Sequence, residues 1–116
     1  MSGEAKRIDA AAARAKFERA LESHEQIFEK FFLARFIGLE FAYLPEDAAD
    51  AEKDTCRIEF EVSEMLMNPQ GTLHGGIIAT VMDISMGHLI KRVSGAGATI
   101  EMKIQFMRPV GAGRAV

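Results

Sequence analysis

Apolar and polar positions change their period several times along the chain, and each change marks an element. From about Asp9 to Arg35 no proline or glycine interrupts a run rich in alanine, glutamate, lysine and leucine, all good helix formers. Phe17, Leu21, His24, Phe28 and Phe31 or Phe32 recur at three- and four-residue steps, which leaves Arg14, Glu18, Glu22, Glu25 and Glu29 for solvent. This predicts one long amphipathic helix or two, packed as a cap on the rest of the fold, with His24 part of the packing face. Gly38 ends the helical stretch, and Leu39 to Tyr43 alternates as a half-buried strand does. Pro45 and an acidic, alanine-rich loop, expected to be solvent-exposed, interrupt that strand. Cys56, Ile58, Phe60 and Val62 then alternate with Arg57, Glu59, Glu61 and Ser63, predicting a second strand with one face in a core.

Between Ile77 and Arg92 the period becomes helical again, but Ile77, Ile78, Val81, Met82, Ile84, Met86, Leu89 and Ile90 occupy nearly every side. A helix of that kind is surrounded by protein. Ser94-Gly-Ala-Gly97 breaks it, and Ile100, Met102, Ile104 and Phe106 alternate against Thr99, Glu101, Lys103 and Gln105 as a third strand, followed by a turn at Pro109. The order is helix, strand, strand, buried helix, strand, turn. Three strands make a small sheet with two unpaired edges, too little to cover such a helix. The sequence is therefore expected to be part of a longer domain, its next strand beginning near Val116.

Composition narrows this picture only slightly. A length of 116 residues suits one domain that is small for enclosing a ligand cavity without a partner subunit. Fourteen basic and seventeen acidic residues give a formal charge of -3, with no basic block interleaved with aromatics, so nucleic acid is not an expected partner. No apolar run is long enough to span a membrane, and Met-Ser-Gly-Glu-Ala-Lys-Arg at the start lacks a signal core. Cys56, the single cysteine, fits a reducing compartment, and the cytoplasm is expected. It reads as a small core residue, since no neighbour in sequence would activate it as a nucleophile.

The chemistry lies between the second strand and the central helix, in Asn68-Pro-Gln-Gly-Thr-Leu-His-Gly-Gly76 with Asp83 following at helical spacing. Pro69 and Gly71 favour a turn. Gly75 and Gly76 open the helix, where unpaired amides and the helix dipole suit a carbonyl or phosphate oxygen, although glycine there can also simply relieve crowding. Asp83 sits among hydrocarbon neighbours, and a carboxylate so placed is either satisfied by backbone or a second subunit, or serves as general base or nucleophile. His74 is a polarising donor or a residue that orders the turn. A metal site from His74, Asp83 and His88 has the wrong spacing, since Asp83 and His88 lie about 140° apart around a helix, and His88 reads as a packed or interface histidine. Ser85 lacks the Gly-x-Ser-x-Gly turn of a serine hydrolase.

The stretch from Asn68 to Asp83, continued by Thr99-Ile-Glu-Met-Lys-Ile-Gln-Phe-Met-Arg-Pro109, resembles the hotdog-fold thioesterases of the phenylacetate-pathway type. The resemblance implies an α+β fold, an antiparallel sheet wrapped around the central helix, with residues 1–37 as a helical extension and 38–116 as the hotdog domain. It also implies further strands after Pro109, a homodimer or homotetramer, and hydrolysis of an acyl-CoA or related thioester. No cofactor is implied, coenzyme A entering as part of the substrate. In that family the glycine matched by Gly75 polarises the thioester carbonyl through its N–H, and His74 borders that carbonyl. Asp83 matches the residue that activates water or attacks directly from across the subunit interface. Asn68 and Thr99 match residues that position the thioester or the water. Arg92, Arg108 and Arg114 are candidates for the phosphates of coenzyme A or are merely solvated. The same fold can also bind an acyl-CoA without turning it over, whereas a dehydratase would need a histidine closely following the aspartate, which is not evident.

Overall fold

The computed structural model describes residues 7–44, 55–95 and 97–116, so the acidic loop expected after Pro45 lies outside the described residues. The chain divides into two units, Met1–Ile37 and Gly38–Val116.

In the first unit, α1 (Ala10–Ser23) starts where the Asp9 carboxylate accepts the Ala12 backbone N–H at 3.1 Å. It stops at His24, whose backbone N–H donates to the Ala20 carbonyl at 3.0 Å and whose ring Nδ1 lies 3.0 Å from that oxygen and 2.8 Å from the Leu21 carbonyl oxygen, an acceptor the helix end leaves over. A turn closed by Glu25 N–H on the Lys30 carbonyl at 3.0 Å separates α1 from α2 (Phe32–Ile37). Two helices form, and Phe28 and Phe31 belong to neither, so the face expected from periodicity is not a single helical stripe. Space assembles the aromatics instead. Phe17 meets the edge of Phe32 at 5.4 Å, Phe32 stacks on Phe36 at 6.0 Å, and His24 stands edge-on to Phe32 at 5.5 Å.

The second unit opens at Gly38, whose φ of +85° a residue with a side chain would adopt only under strain. β1 (Glu40–Leu44) pairs antiparallel with β2 (Thr55–Val62), Phe41 opposite Ile58 and Tyr43 opposite Cys56. The other side of β2 is taken by β3 (Gly113–Ala115), with Glu61 opposite Arg114, giving the order β1-β2-β3. Ile58, Phe60 and Val62 are buried, as their alternation requires. Arg114 reaches Glu40 at 2.5 Å, Glu59 at 3.7 Å and Glu61 at 4.0 Å, an exposed cluster that adds little stability.

The long helix α3 (Gly75–Ser94) packs on this sheet. Ser85 Oγ donates to the Cys56 carbonyl at 3.2 Å, and the His88 ring, 4% exposed, stacks on Phe41 at 4.1 Å with Nδ1 2.6 Å from the Tyr43 hydroxyl. The result is an α+β arrangement, a long central helix against an antiparallel sheet, of the hotdog kind. No helix among the described residues is long and apolar enough to cross a membrane.

Two expectations are corrected here. The stretch Thr99 to Phe106 alternates in sequence but forms no strand, since it has no backbone ladder with β1, β2 or β3; the described sheet consists of those three strands alone, β3 pairing with Phe60–Val62. It runs back along α3 instead: Gly97 lies against Ile90, Thr99 reaches Asp83, and Phe106 covers Gly75. The second correction follows from the first. With only a narrow extended segment beside it, α3 is not surrounded, and Met82, Met86, Ile90 and Val93 are each exposed by nearly half.

Candidate active site

The turn before α3 is built on Asn68. Its side-chain oxygen accepts the N–H groups of Gln70 at 3.0 Å and Thr72 at 3.2 Å, and its amide nitrogen donates to Thr72 Oγ1 at 2.9 Å. Gly71, with a φ of +86°, supplies the left-handed residue that closes the turn. Leu73 N–H then donates to the Val110 carbonyl at 2.8 Å and His74 N–H to that of Leu66 at 2.9 Å, which pins the turn to the chain on both sides. His74 is the N-cap of α3, its Nδ1 accepting the Gly76 N–H at 2.9 Å. When neutral, the ring therefore carries its proton on Nε2.

Capping leaves over the N–H of Gly75, the first residue of the helix, and the described residues supply it no acceptor. The absent side chain matters here, since a Cβ on Gly75 would lie 3.4 Å from the Phe106 ring. Around it is a hollow of about 240 Å³ walled by Asn68, Gly75, Ile78, Phe106 and Arg108 among others. The dipole of a twenty-residue helix points its positive end at this place, which suits an oxygen that gains negative charge.

Asp83 is half-buried on α3, and the Thr99 hydroxyl donates to its Oδ1. Alongside lies a second, open hollow of about 440 Å³, formed by Met86, Gly87, Ile90, Thr99 and Ile100 among others. Asn68, His74 and Gly75 are thus gathered at the start of α3, and Asp83 with Thr99 near its middle. Eight residues of helix put about 12 Å along the axis between Gly75 and Asp83, so the two groups do not meet in one chain.

The remaining polar candidates are occupied. His88 is packed between β1 and α3, and Ser85 is committed to the Cys56 carbonyl. Burial pushes the Cys56 thiol above its ordinary pKa, against smaller opposing effects of Ser85 and Arg92. The Arg92 guanidinium sits 5.2 Å over the Tyr43 ring and Arg114 among carboxylates, while Arg108 lines the hollow beside Gly75. Sequence reasoning missed Phe106 and Gly87. Phe106 was indistinguishable from the apolar positions of a strand, but a glycine inside a helix was a signal, because helices disfavour it.

Residues 70–116 match the model of the thioesterase superfamily. A Saccharolobus solfataricus protein that carries a provisional esterase name is 32% identical over 95 residues, covering 80% of this chain and 55% of that protein. An acyl-coenzyme A thioesterase of Bos taurus, THEM4, is 34% identical over 88 residues, 76% of this chain and 34% of its own. Acyl-coenzyme A thioesterase 13 of Mus musculus is 39% identical over 71 residues, 60% of this chain and 49% of its own. The chain spans at most 55% of the length of these relatives. No solved structure matches significantly. Over residues 70–116, then, the chain is similar to the thioesterase superfamily and carries the hotdog arrangement of helix and sheet, and it is similar to acyl-coenzyme A thioesterases of two mammals.

Proposed function

We propose that the protein hydrolyses an acyl-CoA or related acyl thioester, water adding to the carbonyl carbon and the thiol leaving, to give a free acid. The observation that carries this reading is one helix holding both halves of the chemistry: an amide at Gly75 with no acceptor among the described residues and a carboxylate at Asp83 bonded by the Thr99 hydroxyl. Gly75 polarises the thioester carbonyl, and Asp83 acts as general base or nucleophile. Thr99 and the remaining amide hydrogen of Asn68 orient water and substrate, while His74 sets the turn and borders the carbonyl. Residues 38–116 are read as the hotdog domain and 1–37 as its extension, and within the family the motif is nearest the phenylacetate-pathway type.

The separation of about 12 Å between the two halves supports a site shared between copies, Asp83 of one facing Gly75 of another in a homodimer or homotetramer. The exposed Met82 and Val93 of α3 and the outward Met107, 87% exposed, support the same assembly. Arg108, on the wall of the Gly75 hollow, is placed for a coenzyme A phosphate. A cytoplasmic setting rests on the lone Cys56.

The test is thiol release from a panel of acyl-CoAs by the wild type and by Asp83→Asn. Turnover by the wild type, abolished in Asp83→Asn with the oligomer intact, is expected. Full turnover by the variant sinks the mechanism, and tight acyl-CoA binding with no thiol released by the wild type would favour a non-catalytic binding protein.

A further inference from the structure

Gly87 has no structural reason to be glycine. It lies inside α3, where glycine is the poorest residue after proline, its φ is not positive, and a Cβ built on it meets nothing within 4 Å. Gly75, by contrast, lies under Phe106, and a Cβ on Gly97 would press on Ile90 at 3.3 Å. What the missing side chain at Gly87 leaves is a notch in the floor of the open hollow bounded by Met86, Ile90, Thr99 and Ile100.

That hollow leads to the candidate chemistry. Thr99 both lines it and donates to Asp83, and Gly87 stands four residues after Asp83, on the same face and about 6 Å further along the axis. We infer that Gly87 determines the size of the acyl group accepted. A thioester whose carbonyl carbon lies beside Asp83 and Thr99 directs its acyl tail along this hollow, between Met86 and Ile90, and any tail longer than one helical turn passes over Gly87. The lining is mainly hydrocarbon, from Met86, Ile90 and Ile100, with Thr99 and Glu101 as its polar side chains, so the tail is mainly apolar. A side chain at position 87 would rise into its path without disturbing the helix, since the space is open.

This inference rests on the thioesterase reading, and the experiment separates the two. Specificity constants for acetyl-CoA and decanoyl-CoA are measured on the wild type, Gly87→Ala and Gly87→Leu, with circular dichroism and sedimentation reporting fold and assembly. The expected result is a decanoyl-to-acetyl ratio that falls in steps from Gly87 to Ala to Leu, at least tenfold at Leu. A folded, active Gly87→Leu with the wild-type ratio overturns the inference. So does an equal loss on both substrates accompanied by a changed sedimentation coefficient, which would assign the notch to contact between copies. If the wild type hydrolyses no member of the acyl-CoA panel, the thioesterase reading fails separately. Affinities of non-hydrolysable acetyl and decanoyl thioether analogues then decide: selective weakening of the decanoyl analogue by Gly87→Leu supports the notch, and unchanged relative affinity overturns it.

Discussion

At the scale of single residues, Gly75 joins chemistry to packing, its N–H facing the hollow beside the Phe106 ring. It is the first residue of α3, a position where proline is welcome, and the extended His74 before it, with ψ of 132°, is compatible with a following proline. Gly75→Pro should therefore keep the helix while deleting the one N–H the mechanism needs. A loss of about a hundredfold or more in kcat is expected in steady-state assays, the usual effect of removing an oxyanion donor. Cys56 makes a prediction of a different kind. Burial raises its pKa, so the folded protein favours the neutral thiol, and alkylation should set in at higher pH than for a small free thiol. The linked contribution to stability is present below the ordinary thiol pKa and is lost as pH rises through the raised one, which denaturation at a series of alkaline pH values would register. The types and spacing of Asn68, His74, Gly75 and Asp83 were legible in the sequence because a turn and a helix start are local. The bond between Thr99 and Asp83 was not, since it depends on the route the chain takes after Gly97.

Among the elements, the turn from Asn68 to Thr72 and the helix after it form one mechanical piece. Asn68→Ala removes three side-chain hydrogen bonds and should cost about 1–3 kcal/mol, read as a lower midpoint in chemical denaturation. Gly87→Ala should act in the opposite direction, stabilising by about 0.5–1 kcal/mol in the same measurement, because the new methyl group meets open space in a helix that gains from it. β2 and the extent of α3 were readable from period and punctuation. The stretch from Asp9 to Arg35 was less so, since the side chain of His24 turns back on the Ala20 and Leu21 carbonyls and ends α1 inside a run of good helix formers. Thr99 to Phe106 shows the limit of alternation. Met102 and Ile104 remain half-buried while Glu101, Lys103 and Gln105 face solvent, yet a strand also needs a backbone partner, and none of the three described strands pairs with this stretch.

For the whole molecule, the decisive quantity is the axial distance of about 12 Å between Gly75 and Asp83. If catalysis joins two copies, Asp83→Asn and Gly75→Pro, each inactive alone, should restore up to about a quarter of wild-type turnover when unfolded and refolded together, because half the dimers then contain one intact site of two. No recovery in a mixture shown to contain heterodimers would place the chemistry within one chain. Sequence by itself determined the strands β1 and β2, the turn at Asn68, the span of α3 and the residue types of the candidate site. Those features follow from preferences and hydrogen bonds that act over a few residues. Tertiary structure decided the path of Gly97 to Phe106 along α3, the exposed face of that helix and the pairing of Thr99 with Asp83. Each of these depends on which distant segment claims an edge or covers a face, and that competition between contacts has no signature in local periodicity.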